Sequence, residues 1–377
     1  MSNLHIKNAT IVNDGKIEKN SDIWIKEGFF SSKDDSVIYE EFDASGLIAL
    51  PGFIDTHIHG FGGYGTEDGD KESIVLMSKA LAKTGVTTFF PTIYTDTQAR
   101  IGKDIEACVS AFGCEDGAAI GGIHVEGPFI SPDRIGAQNP AGRLSPNEYD
   151  MMNMVATGKG LIKAMTMAPE LENIDIVANI AIKNGIKPLL GHTNATYEEA
   201  IKGKDCGIKH ATHLFNAMSG LHHRKPGVVG AVLSEKDMSA ELIADGKHVE
   251  PAVFKAVLYA KGKENIAVIT DSLKPTMQIE GTMTANGVEV EAGDGLWVTK
   301  GRPELIQGSM LTMLQALKNM VGWGIDIEVA SYMLSTTPAD LYNLNDRGRI
   351  KENLRADLVL LDDNLDIKMV LVKGERK

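Results

Sequence analysis

From residue 47 to about residue 345, short runs rich in Val, Ile, Leu and Ala alternate with helical stretches roughly eight times. This alternation constrains the fold more than any other feature. An apolar run bounded by turn residues and followed by an amphipathic stretch is the βα unit of a parallel sheet, and eight such units close a TIM-type (β/α)8 barrel. The strand candidates are Leu47–His59, Val86–Thr92, Ala119–Val125, Leu161–Thr166, Ile186–Gly191, Ile208–His213, Ser239–Ala244 and Ile266–Asp271. An open doubly wound sheet shares the alternation, but no GxGxxG follows the first strand. Residues 272–307 interrupt the pattern: Val288–Val290 and Leu296–Thr299, with Asn286-Gly287 before them, predict an inserted hairpin. Helices are expected over Ile74–Lys83, Ser309–Met320 and Ile327–Leu334.

The two chain ends have a different texture. Residues 1–46 contain strand-like runs at Leu4–Val12, Ser21–Lys26 and Val37–Tyr39, with a hairpin signal at Asn13-Asp14-Gly15. Residues 346–377 contain two more, Ala356–Asp362 and Ile367–Val372. Neither set suffices for a stable sheet alone, so the ends are expected to meet in one small β-sandwich domain. The division is then 1–46 with 346–377, and 47–345 for the barrel. With 43% hydrophobic and 24% charged residues, the chain can bury a large core. Its net charge of −13 argues against nucleic acid and anionic membranes as partners. Three cysteines without a CxxC pair, no secretory leader pattern and no long apolar run predict a cytoplasmic protein.

Barrel active sites form at the C-terminal ends of the strands. His57 and His59 close the first strand, two residues apart and therefore on one face if extended. Glu126 closes the third strand in His-Val-Glu-Gly-Pro, where Gly127 and Pro128 force a turn. His192 closes the fifth, His213 the sixth and Asp271 the eighth. Any one of these has an ordinary structural explanation, but six at one rim do not. Four imidazoles and two carboxylates suit zinc, iron, manganese or cobalt.

The segments HVEGP, GHTNA (191–195), THLFNAM (212–218), DGKH (245–248), TDS (270–272), PGFIDTHIHG (51–60), LTMLQALKN (311–319) and ADLVLLD (356–362) resemble the N-acetylglucosamine-6-phosphate deacetylase family of the amidohydrolase superfamily. The resemblance spans nearly the whole chain. It implies hydrolysis of the N-acetyl amide of a sugar 6-phosphate, with one or two divalent ions per subunit. Glu126, His192 and His213 match the main metal site, and Asp271 matches the catalytic aspartate. His248 matches a sugar contact, while Asn216, Ala217 and Arg224 match positions that hold the phosphate; His222, His223 and Arg224 form a local basic cluster of the kind an anionic substrate needs, on a loop that in the family can act across a homodimer interface. His57 and His59 resemble the two-metal members. Some one-metal members carry a histidine that polarises the acetyl carbonyl; here Gln138 occupies that place among the substrate-binding positions, and a second ion is expected to take over the duty. A cyclic-amide hydrolase is disfavoured because Met165–Glu170 offers no lysine at the mouth. The galactosamine epimer as substrate and a phosphosugar-binding regulator without turnover stand as alternatives.

Overall fold

In the computed structural model, which describes residues 3–377, the alternating segment closes into a barrel. Its strands are β1 (Phe53–Ile58), β2 (Val86–Ile93), β3 (Ile123–Glu126), β4 (Ile162–Met167), β5 (Lys187–Leu190), β6 (His210–Ala211), β7 (Ser239–Ile243) and β8 (Ile266–Ile269). Each runs parallel to the next in chain order. Every residue of β1, β2 and β3 is buried, as strands covered on both faces must be. The seam between β8 and β1 closes just beyond the end of β8. There the Asp271 N–H donates to His57 O at 2.9 Å, and the His59 N–H donates to Ser272 O at 2.9 Å. Asp55 adds a side-chain clasp, accepting from the Thr270 N–H at 3.2 Å and the Thr270 hydroxyl at 2.6 Å.

The outer helices start where side chains can satisfy their free N–H groups. Asp70 caps Lys71–Ala82 by accepting from the Ser73 N–H, and Thr196 with Glu199 forms a capping box on Tyr197–Asp205. The insertion is larger than the expected hairpin. It is a four-stranded antiparallel meander of Thr284–Ala285, Val288–Gly293, Leu296–Thr299 and Arg302–Ser309. The last of these is exposed along most of its length, so no apolar alternation announces it.

The chain ends come together in one eight-stranded sheet. Leu4–Asn13 pairs with Lys16–Lys26 on one side. On the other side its first half pairs with Glu40–Asp43 and its second half with Ile48–Pro51. That divergence lets the sheet wrap a core containing Leu4, Ile6, Ile25, Phe30, Leu358 and Leu371. The strand expected over Val37–Tyr39 lies instead at Glu40–Asp43, because its backbone ladder with Leu4–Lys7 sets the position and leaves Ile38 on the surface. Leu358–Leu361 pairs with Ile48–Pro51, which leads directly into β1. Among the described residues no helix is long and apolar enough to cross a membrane.

Candidate active site

Three of the predicted residues stand two positions past a strand end: His192 after β5, His213 after β6 and Asp271 after β8. All three have left-handed backbones, with φ of 47°, 28° and 50°. Such angles are unfavourable for side chains with a Cβ and persist only where the surroundings impose them. Here they turn each side chain off its strand and over the barrel mouth. At β3 the turn falls on Gly127, at φ 100°, where a Cβ would collide with Thr95 Oγ1. The Thr95 hydroxyl is itself used, donating to Glu126 O at 2.6 Å.

These devices gather six side chains around one point. Glu126 Oε1 lies 2.8 Å from His213 Nε2, 3.0 Å from His192 Nε2 and 3.5 Å from His57 Nε2. Glu126 Oε2 lies 3.0 Å from His59 Nε2. Asp271 Oδ1 is 3.5 Å from both His57 Nε2 and His59 Nε2. Four groups have the spacing to hold a cation: Glu126 with His192 and His213, His57 with His59 and Glu126, His57 with His213 and Asp271, and, behind the rim, His57 with His124 and Glu241.

The protonation pattern fits a cation too. His59 Nδ1 donates to Thr92 O at 3.0 Å, and His192 Nδ1 donates to Arg134 O at 2.9 Å. His57 Nδ1 faces Glu241 Oε2 at 3.2 Å. Each partner can only accept, so each Nδ1 carries a proton and Nε2 is the ring nitrogen that faces the cluster. His57 Nε2 is buried and has no hydrogen-bond partner, an orphaned donor set of the kind a metal ion satisfies. Burial opposes charge on His57, yet the Glu126 and Asp271 carboxylates outweigh it and hold its pKa well above the usual imidazole value. Burial by itself raises a carboxyl pKa, but at Glu126 the imidazoles of His57, His192 and His213 reverse this and hold it well below the carboxylate range. The cluster is a strong trap for positive charge.

A cavity of about 230 Å³ opens over the cluster. His59, Glu126, Gln138, His192, His213, Asn216, Ala217, His248 and Asp271 all line it. His248 is held by Asp245, with Nδ1 2.6 Å from Asp245 Oδ2; burial lowers the imidazole pKa and the Asp245 carboxylate raises it, with a net upward shift. Gln138 is committed at both ends, donating to Glu126 Oε2 at 2.6 Å and accepting from the Thr95 N–H at 2.7 Å. His223 and Arg224 are not brought in: they sit on an exposed loop outside the cavity lining. Sequence reasoning missed Glu241, the buried partner of His57, whose signal was a lone charge within the otherwise apolar Ala240–Ala244. It also missed Ile306, Gln307 and Gly308, which the meander extends over the cavity.

Comparison with known proteins identifies the family. The amidohydrolase family model matches residues 48–377. The N-acetylglucosamine-6-phosphate deacetylase of Lysinibacillus sphaericus is 31% identical, covering 98% of this chain and 97% of its own length. The N-acetylgalactosamine-6-phosphate deacetylase of Escherichia coli O157:H7 is 30% identical over 87% of each chain. A mutant N-acetyl-D-glucosamine-6-phosphate deacetylase from Mycobacterium smegmatis, solved in complex with N-acetyl-D-glucosamine-6-phosphate, matches with a TM-score of 0.90 and 26% identity, covering 100% of this chain and 99% of that one. The barrel, the histidine–carboxylate rim and these full-length likenesses agree, and the chain belongs to the amidohydrolase family.

Proposed function

We propose that the protein hydrolyses the acetamide of N-acetylglucosamine 6-phosphate, giving glucosamine 6-phosphate and acetate. The observation that carries this reading is the convergence of four inward-facing imidazole nitrogens and two carboxylates beneath an open cavity. Full-length relatives named for this reaction support it. A divalent ion (zinc foremost, with iron, manganese or cobalt as alternatives) would be held by Glu126, His192 and His213, with a second on His57, His59 and the shared carboxylates, supplying Lewis acidity toward the amide carbonyl and lowering the pKa of water.

The chain's own residues then have separable duties. Asp271 takes the proton of the attacking water and delivers it to the departing nitrogen, the step that makes an amine a tolerable leaving group. Its left-handed backbone is clamped on both sides, by its N–H on His57 O and by its carbonyl, which accepts from the Ser309 N–H at 3.1 Å. His248, oriented by Asp245, meets the sugar, and Asn216 and Ala217 border the phosphate end. Gln138 borders the acetyl group, but its amide is spent on Glu126 and Thr95, which supports assigning carbonyl polarisation elsewhere. The exposed loop bearing His223 and Arg224 fits a homodimer in which it completes phosphate binding across the interface. Three unpaired cysteines support a cytoplasmic setting.

The test is acetate release from the 6-phosphates of N-acetylglucosamine and N-acetylgalactosamine and from the unphosphorylated sugar, on protein of measured metal content. Turnover of the glucosamine phosphate above the other two is expected. Metal-loaded protein that releases no acetate from any of them would overturn the reading.

A further inference from the structure

We infer that Glu241 is a positioning residue that fixes the tautomer and orientation of His57, and so creates the second ion's site. The inference rests on reading the cluster as a metal centre. His59 and His192 lean on backbone carbonyls, which any sequence supplies. His57 leans on a side chain, the carboxylate of Glu241 in β7, and neither residue has any exposed surface. An ionised carboxylate inside a barrel is expensive unless its lone pairs are used. At Glu241 they are: Oε2 faces His57 Nδ1, while Oε1 accepts from the Thr56 hydroxyl at 3.3 Å and the Tyr342 hydroxyl at 3.4 Å. A carboxylate cannot donate, so the His57 proton must sit on Nδ1. Nε2 is then the nitrogen turned toward Glu126 and Asp271, each 3.5 Å away. The negative charge behind the ring also strengthens it as a ligand.

The isosteric Glu241→Gln separates this role from simple packing. With the amide oxygen accepting from the Thr56 and Tyr342 hydroxyls, as Oε1 does in the wild type, the NH2 turns to His57 Nδ1. The imidazole must then accept there and carry its proton on Nε2, aimed into the cluster. Zinc titration of the full chain against a competing chelator should show two ions in the wild type. In Glu241→Gln one site should weaken about 10- to 100-fold, while the site at Glu126, His192 and His213 keeps its affinity. Glu241→Asp, still an acceptor only, should recover part of the loss. Nitrogen-15 spectra of histidine-labelled protein carrying one zinc per chain, with the His57 signals assigned by their loss in His57→Asn, should place the wild-type proton on Nδ1 and move it to Nε2 in Glu241→Gln. A wild type that binds a single zinc, a His57 proton found on Nε2, or a Glu241→Gln variant with both zinc affinities unchanged would each overturn the inference. Acetate release by the same wild-type sample judges the proposed reaction separately, so the two can fail independently.

Discussion

Asp271 differs from the other carboxylate of the cluster in its access to the cavity. Its side chain is 14% exposed, against 2% for Glu126. Both oxygens of Glu126 are taken up by histidines and Gln138, so Glu126 has no freedom to move a proton, whereas Asp271 lines the open cavity. We therefore propose proton transfer for Asp271 and charge neutralisation for Glu126. Replacing Asp271 by Asn keeps the shape and removes the basicity. Asp271→Asn should retain its metal and its melting temperature while kcat falls about 10²- to 10⁴-fold. Metal analysis, thermal melting and acetate release on one preparation check this, and near-wild-type turnover would remove Asp271 from the mechanism.

At the level of elements, the helix Gln98–Ala111 packs Asp104 into the barrel's outer layer, where it is 4% exposed. Burial pushes its carboxyl up to about 6, against the opposing pull of Arg100, whose Nε lies 3.1 Å from Oδ1. The unfolded chain ionises this group near ~4. Between roughly pH 4 and 6 the folded state thus holds the extra proton, so stability falls as pH rises through that window, and the cost is complete above it. Asp104→Asn lacks this dependence. Its stability relative to wild type should improve by about 1–2 kcal/mol between pH 4.5 and 7.5, after allowance for screening by water beside Arg100. Denaturant midpoints across that range decide the matter; a constant difference would contradict it.

Elements also explain what could be read without coordinates. Glu126, His192 and His213 were legible because each ends an apolar run at a turn, and the barrel rule sends strand ends to one rim. The partnership of His57 with Glu241 was not, since the two are 184 residues apart and no spacing rule connects adjacent rim and interior positions of different strands. The same holds for Gln307, which reaches the cavity from a strand too polar to show a β pattern.

On the scale of the whole molecule, the end sheet and the barrel share a continuous stretch of chain. Ile48–Pro51 is a strand of the sheet, and Phe53 begins β1 two residues later. The Gly52 N–H between them donates to Asp357 O at 3.0 Å, tying that junction to the C-terminal segment. The C-terminal strands therefore hold the platform from which His57 and His59 are presented. Leu360 is fully buried opposite Ala49. Leu360→Ala should cost about 2–5 kcal/mol of folding stability, read as a lower denaturant midpoint. Loss below 1 kcal/mol would show that the barrel stands without this support.

Anomalous diffraction from crystals of catalytically active, zinc-loaded protein, collected on both sides of the zinc edge, locates the ion itself. A peak is expected at the barrel mouth within roughly 2.0–2.3 Å of the His192 and His213 Nε2 atoms and a Glu126 oxygen. Active crystals with no anomalous density among those three residues would contradict it.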